Sequence, residues 1–218
     1  MKKGLLISFE GTEGCGKSTQ ITLLAERLRS LGHVIRMVRE PGGTPIGEEI
    51  RYTLKHSAKN HAMTSEAELL LMNASRAQLV REVLRPALEA GEIILCDRYY
   101  DSTIAYQGYG RGLDLRQVQA IIDIAVGETR PNLTLLLRVP TEISAARLAS
   151  RQATLPFIRD RIEEADQAFF NRVSQGYEAL AAAHPERIHT IDASSTIESV
   201  SNSIWSRVEP LLQQSTHC

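Results

Sequence analysis

The chain has 218 residues, 43% of them apolar and 23% charged, with a formal net charge of −1. That balance excludes a disordered polyelectrolyte and leaves no bulk attraction for nucleic acid or an anionic membrane, so an anionic ligand must be held by local positive groups. The three cysteines, Cys15, Cys96 and Cys218, and the six histidines match no disulfide framework or metal-ligand spacing.

Met1-Lys2-Lys3 is basic, but the apolar run behind it is short and stops at Glu10. No signal peptide or membrane span is expected, and a reducing, cytoplasmic setting is. Short, almost continuously apolar runs occur at 4–9, 34–38, 93–96, 133–139 and 188–191. Such runs are expected of strands covered on both faces. Helical periodicity is expected over 17–31, 46–56, 65–90, 114–126, 141–151, 163–183 and 195–213. The alternation predicts a single α/β domain with a parallel sheet. Gly32 is expected to close the first helix. Thr64 or Ser65 is expected to cap the third, with Glu68 completing a capping box.

The first strand leads into Gly11-Thr12-Glu13-Gly14-Cys15-Gly16-Lys17-Ser18, which fits the phosphate-binding pattern G-x-x-x-x-G-K-[ST]. In a strand–loop–helix setting the loop's backbone N–H groups converge on phosphate oxygens. Lys17 then reaches the β- and γ-phosphates, and Ser18 is placed to ligate Mg²⁺. Cys15 reads as a small residue tolerated among glycines.

Beyond the second strand, Glu40-Pro41-Gly42-Gly43-Thr44 forms a rigid turn at the sheet edge where ligands of open α/β folds bind. Met72 and Arg76, four apart, share one face of the third helix. They suit either a flat base and its edge or a core methionine beside a solvated arginine. Asp97-Arg98-Tyr99 follows the third strand, at the same edge as the phosphate loop. Asp97 is a candidate Mg²⁺ ligand, and Arg98 a bidentate partner for a second phosphate. Ser102-Thr103-Ile104-Ala105-Tyr106-Gln107-Gly108, with Thr103, Tyr106 and Gln107 among its polar members, either reads a base or sugar or forms an ordinary polar helical turn. Later, Arg147, Arg151, Arg159 and Arg161 cluster around a segment suited to cover the site.

Together these segments resemble the thymidylate kinase family. They are Phe9-Glu10-Gly11 running into the phosphate loop, Arg39-Glu40-Pro41-Gly42-Gly43-Thr44, Arg76-Ala77-Gln78, Asp97-Arg98-Tyr99, Ala105-Tyr106-Gln107-Gly108 and Asp160-Arg161-Ile162-Glu163. Phe169-Phe170-Asn171-Arg172-Val173 and Ile191-Asp192-Ala193-Ser194 extend the resemblance through the tail. It implies an α/β P-loop nucleoside monophosphate kinase fold with a five-stranded parallel sheet and a lid at about 147–163. It also implies ATP as phosphoryl donor, Mg²⁺, dTMP as substrate, no nucleic acid or membrane partner, and a homodimer.

By the same resemblance, the loop residues Gly11, Thr12, Glu13, Gly14, Cys15, Gly16, Lys17, Ser18 and Thr19 bind ATP, with Arg147 packing on adenine beside Ala193. Glu13 meets the sugar 3′-hydroxyl, and Arg98 takes the acceptor phosphate. Pro41, Met72, Arg76, Thr103 and Gln107 surround the base, while Tyr106 crowds the sugar 2′ position. Ser18, Asp97 and Glu163 serve the metal. The loop has no arginine between Gly11 and Lys17, so the resemblance assigns a catalytic arginine to the lid, Arg151 or Arg159. This chain departs from the family at Met72, where phenylalanine is usual, and at Arg138, where aspartate is usual. Another deoxynucleotide or nucleoside kinase, and a P-loop regulatory switch, are the competing readings. The switch needs Asn-Lys-x-Asp and Asp-x-x-Gly, and neither string occurs.

Overall fold

The computed structural model describes residues 4–57, 59–154 and 165–214. The sheet is five-stranded and parallel, in the order β2-β3-β1-β4-β5. The strands are β1 (Leu5–Glu10), β2 (Ile35–Arg39), β3 (Ile93–Asp97), β4 (Leu133–Arg138) and β5 (Ile188–Asp192). All five apolar runs are strands, with ends moved by a residue or two. The first runs on to Glu10, whose backbone pairs in register with Leu136. Chain order reverses direction around β1, which lies between β3 and β4. That crevice is where open α/β sheets bind ligands.

Alternation along β1 divides the core. Leu5, Ile7 and Phe9 face Leu24 and Leu28 of α1 (Lys17–Ser30) and Ile204 and Val208 of α9 (Ile197–Gln214). Leu6 faces the other way, toward Leu69 and Leu79 of α3 (Ser65–Leu79) and Val118 and Ile122 of α6 (Leu115–Val126). Each buried aliphatic side chain contributes roughly 1.5–3 kcal/mol. The covered central strand is therefore a rigid base for the loop at its end.

Capping sets the helix starts. Thr44 Oγ1 accepts from Gly47 N at 3.0 Å, with Pro45 in the first turn of α2 (Pro45–Lys55). Thr64, not Ser65, is the N-cap of α3, its Oγ1 accepting from Ala67 N at 3.2 Å. Gly32, at φ 85°, closes α1 by donating its N–H to Arg29 O.

Two helical stretches differ from expectation. The segment 65–90 is α3, a π-helical turn over Val80–Leu84 and α4 (Arg85–Glu89). Pro86 offers no N–H to the carbonyl of Glu82 and its ring crowds that carbonyl, so the regular ladder is interrupted there. The segment after Asp97 is itself helical: α5 (Tyr100–Thr103) continues into a π-helical turn over Ile104–Gly110. Tertiary contact holds it, because Ala105 and Tyr106 are buried against Phe169, Val173 and Tyr177. Those three belong to α8 (Gln167–Ala183), which starts at an Asp166 cap whose carboxylate accepts from Phe169 N at 2.7 Å.

The expected cover begins within α7 (Thr141–Thr154). Arg159, Arg161 and Glu163 lie outside the described residues, as does the side chain of Arg151. Among the described residues, no helix is long and apolar enough to cross a membrane.

Candidate functional site

The phosphate loop joins β1 to α1. Gly11 has φ 131°, and a Cβ there would stand 2.3 Å from the carbonyl oxygen of Leu137, so both conformation and space demand glycine. Lys17 is folded back on the loop. Its Nζ donates to the carbonyls of Gly11 and Thr12, each at 3.0 Å, and lies 3.6 Å from Cys15 Sγ. These carbonyls hold the ammonium over the loop. Ser18 Oγ donates to Asp97 Oδ2 at 3.3 Å, so two expected metal ligands, one from the start of α1 and one from the end of β3, meet. Two hard oxygens fit Mg²⁺, which keeps several of its waters.

Arg98 is the hub of the adjoining side. It has φ 68°, the left-handed region that costs a non-glycine residue about 1–2 kcal/mol. Its guanidinium donates to Glu13 Oε1 at 2.5 Å and to Tyr106 OH at 3.2 Å, and Tyr106 OH donates to Glu13 Oε2 at 3.1 Å. Burial opposes ionisation of Glu13, but Arg98 and Lys17 outweigh it and hold the carboxyl at about 2. Glu13 is therefore a fixed anion and an acceptor for a hydroxyl.

Glu10, three residues earlier, behaves in the opposite way. It is fully buried, and desolvation together with Asp101 pushes its pKa up to about 7, against hydrogen bonds and Arg98 that lower it.

A cavity of about 150 Å³ opens beside Arg98. Glu13, Pro41, Met72, Arg76, Arg98, Thr103, Tyr106 and Gln107 all line it, which brings together every residue expected around the substrate. The turn that supplies Pro41 carries a cis peptide bond between Glu40 and Pro41. Arg76 is buried rather than solvated. Its Nε and Nη2 each reach Glu40 Oε2 at 2.7 Å, and Nη1 donates to Asn73 Oδ1 at 2.8 Å. Among the described residues, Glu40 Oε1 has no hydrogen-bond partner. Burial raises the Glu40 pKa despite Arg76. Met72 is partly exposed to the cavity, and Gln107 is held by its amide on buried Glu68, 2.8 Å away.

On the far side of the loop, α7 is tied down. Ser144 Oγ donates to Glu13 O at 2.6 Å, and Arg147 Nη2 donates to Ala193 O at 3.1 Å. Arg147 and Ala193 thus lie together beside the loop. Arg138, at the end of β4, pairs with Glu178 of α8, both about half exposed. That pair accounts for an arginine at this position.

Sequence reading gave no role of their own to Glu10 or Tyr177, which stand with Ser102 directly behind Arg98. Glu10 carried one available signal, a charge ending an apolar strand. Tyr177, on the buried face of α8, carried none beyond a core aromatic.

The thymidylate kinase family model matches residues 9–204. A thymidylate kinase from Syntrophotalea carbinolica is 50% identical over 200 residues, 91% of this chain and 92% of that one. One from Geobacter sp. is 48% identical over 196 residues, 89% and 87% of the respective chains. A crystal structure of thymidylate kinase from Ehrlichia chaffeensis superposes with TM-score 0.76 at 30% identity, covering 95% of this chain and 99% of that one.

Proposed function

As the chain belongs to the thymidylate kinase family, we propose that it transfers the γ-phosphoryl group of ATP to dTMP, giving ADP and dTDP, with the 150 Å³ cavity as the dTMP site. The supporting observation is the meeting of the phosphate loop with Arg98, which links two anion-binding groups through the salt bridge to Glu13. The loop's N–H groups and Lys17 hold the donor phosphates. Arg98 binds the acceptor phosphate, Glu13 accepts from the 3′-hydroxyl, and Tyr106 blocks a 2′-hydroxyl. Met72 covers the base, and Thr103 and Gln107 border it.

The acceptor phosphate is already ionised at neutral pH, so the chain positions reactants and offsets charge rather than abstracting a proton. Ser18 and Asp97 hold Mg²⁺, with Glu163 as the third contributor. Bound there, Mg²⁺ would supply charge neutralisation for the donor phosphates. Arg147 packs on adenine beside Ala193. Arg151 or Arg159 supplies the remaining positive charge from a lid at about 147–163. The domain is a cytoplasmic homodimer. Exposed Leu70 on α3 and Ile124 on α6 provide apolar surface for a partner copy.

A coupled assay of ADP release with dTMP, dUMP, dGMP or no acceptor tests this reading. Turnover is expected with dTMP far above the others. Equal turnover with dGMP, or none with any acceptor, would overturn it.

A further inference from the structure

Two hydroxyls stand behind Arg98, Ser102 Oγ and Tyr177 OH, 2.9 Å apart, and either can donate to the other. Glu10 Oε1 accepts from Tyr99 N at 2.7 Å. Its Oε2 accepts from Ser102 Oγ at 2.5 Å and from Tyr177 OH at 3.0 Å. Each hydroxyl has one proton. Whether that proton points at Glu10 or at the neighbouring hydroxyl, each oxygen keeps a lone pair for Arg98. Nη1 of Arg98 donates to those same oxygens, to Ser102 Oγ at 3.1 Å and Tyr177 OH at 3.2 Å. Both Nη1 protons are thereby taken on the inner side, while Nη2 donates to Glu13 and Tyr106 at the cavity wall.

Tyr177 also comes from a distant part of the chain. It lies on α8, which can approach because its neighbour Gly176 has no side chain: a Cβ there would lie 2.9 Å from the Tyr109 ring. Tyr177 packs edge-on against Tyr106 with ring centroids 6.3 Å apart. One helix therefore touches both Arg98 and the residue assigned to the sugar.

We infer that Glu10, Ser102 and Tyr177 are positioning residues that aim the Arg98 guanidinium at the acceptor phosphate. Through Tyr177, α8, the helix that follows the lid segment, helps to set affinity for the monophosphate. This rests on Arg98 being the acceptor-phosphate ligand, and that premise has its own control.

The test is steady-state kinetics on Tyr177→Phe, Ser102→Ala, Arg98→Ala and the double variant Tyr177→Phe/Arg98→Ala, with folding checked by circular dichroism. Removing one hydrogen bond to a charged group in Tyr177→Phe should raise the KM for dTMP about tenfold, with the KM for ATP unchanged. In the Arg98→Ala background the same change should have about no further effect, because the coupled partner is gone. Ser102→Ala should repeat the pattern, and it carries the test if Tyr177→Phe does not fold. An Arg98→Ala effect confined to dTMP, with neither hydroxyl variant changing its KM or with fully additive effects, would overturn the inference alone. Equal effects of Arg98→Ala on both substrates would overturn the premise instead.

Discussion

The donor and acceptor sides of the site are built differently. On the donor side, backbone dominates: Lys17 rests on main-chain carbonyls, and Ser18 at the start of α1 bonds Asp97 at the end of β3. On the acceptor side, charged and hydroxyl side chains from four parts of the chain bond one another before any ligand is considered: Glu13 and Glu10 from the first strand and loop, Arg98 after the third strand, Tyr177 from α8. A phosphate loop works with any nucleoside triphosphate because main-chain N–H groups carry no sequence information. Discrimination between acceptors needs side chains, and those must be held against competing conformations. The difference teaches that the selective half of the site is also the half most dependent on the folded core.

That contrast makes unequal predictions. The largest effect is expected from Arg76→Ala. It leaves Glu40 buried without its partner and should cost about 3–5 kcal/mol of stability. Chemical denaturation reads this directly, and a loss near zero would show that the acceptor wall is not integral to the fold. Lys17→Ala should cost about 10²–10³-fold in kcat through lost charge stabilisation, with the unfolding midpoint little changed. A folded Lys17→Ala protein with normal turnover would remove the loop from the chemistry.

The next effect is on acid stability. The folded pKa of Glu13, about 2, lies below its ordinary value of 4.5, so the stability it contributes is complete above that value and fades as pH falls toward 2. Glu10 has the opposite sign: its pKa is raised to about 7, so its contribution is present below 4.5 and fades as pH rises through 7. Melting temperatures against pH should show Glu13→Gln flattening the acid limb and Glu10→Gln flattening the decline toward neutrality. The smallest effect belongs to Arg138→Ala, which breaks a half-exposed pair with Glu178. It should change stability by at most about 1 kcal/mol, read by the same denaturation.

Sheet and loop were legible in the sequence because their signals are local. An apolar run between helices marks a covered strand, and the spacing of Gly11, Gly16, Lys17 and Ser18 holds within a single turn. Asp97 and Arg98 were legible for the same reason, sitting directly after such a run. The support behind Arg98 was not. Residues 10, 102 and 177 share no periodicity, and a tyrosine on an apolar helix face looks the same whether it fills space or orients a guanidinium. The helix from Tyr100 to Gly110 was legible only as a polar helical turn, because contact with α8, rather than its own glycine-containing sequence, stabilises its full length.

The left-handed backbone at Arg98 separates two properties that mutagenesis usually confounds. Alanine and glycine at this position both delete the guanidinium, yet only alanine keeps a Cβ in the crowded conformation at φ 68°. Arg98→Gly should therefore be more stable than Arg98→Ala by about 1 kcal/mol while being equally impaired toward dTMP. The gap between the two would measure the conformational tension that the working residue carries, independent of the chemistry of its side chain.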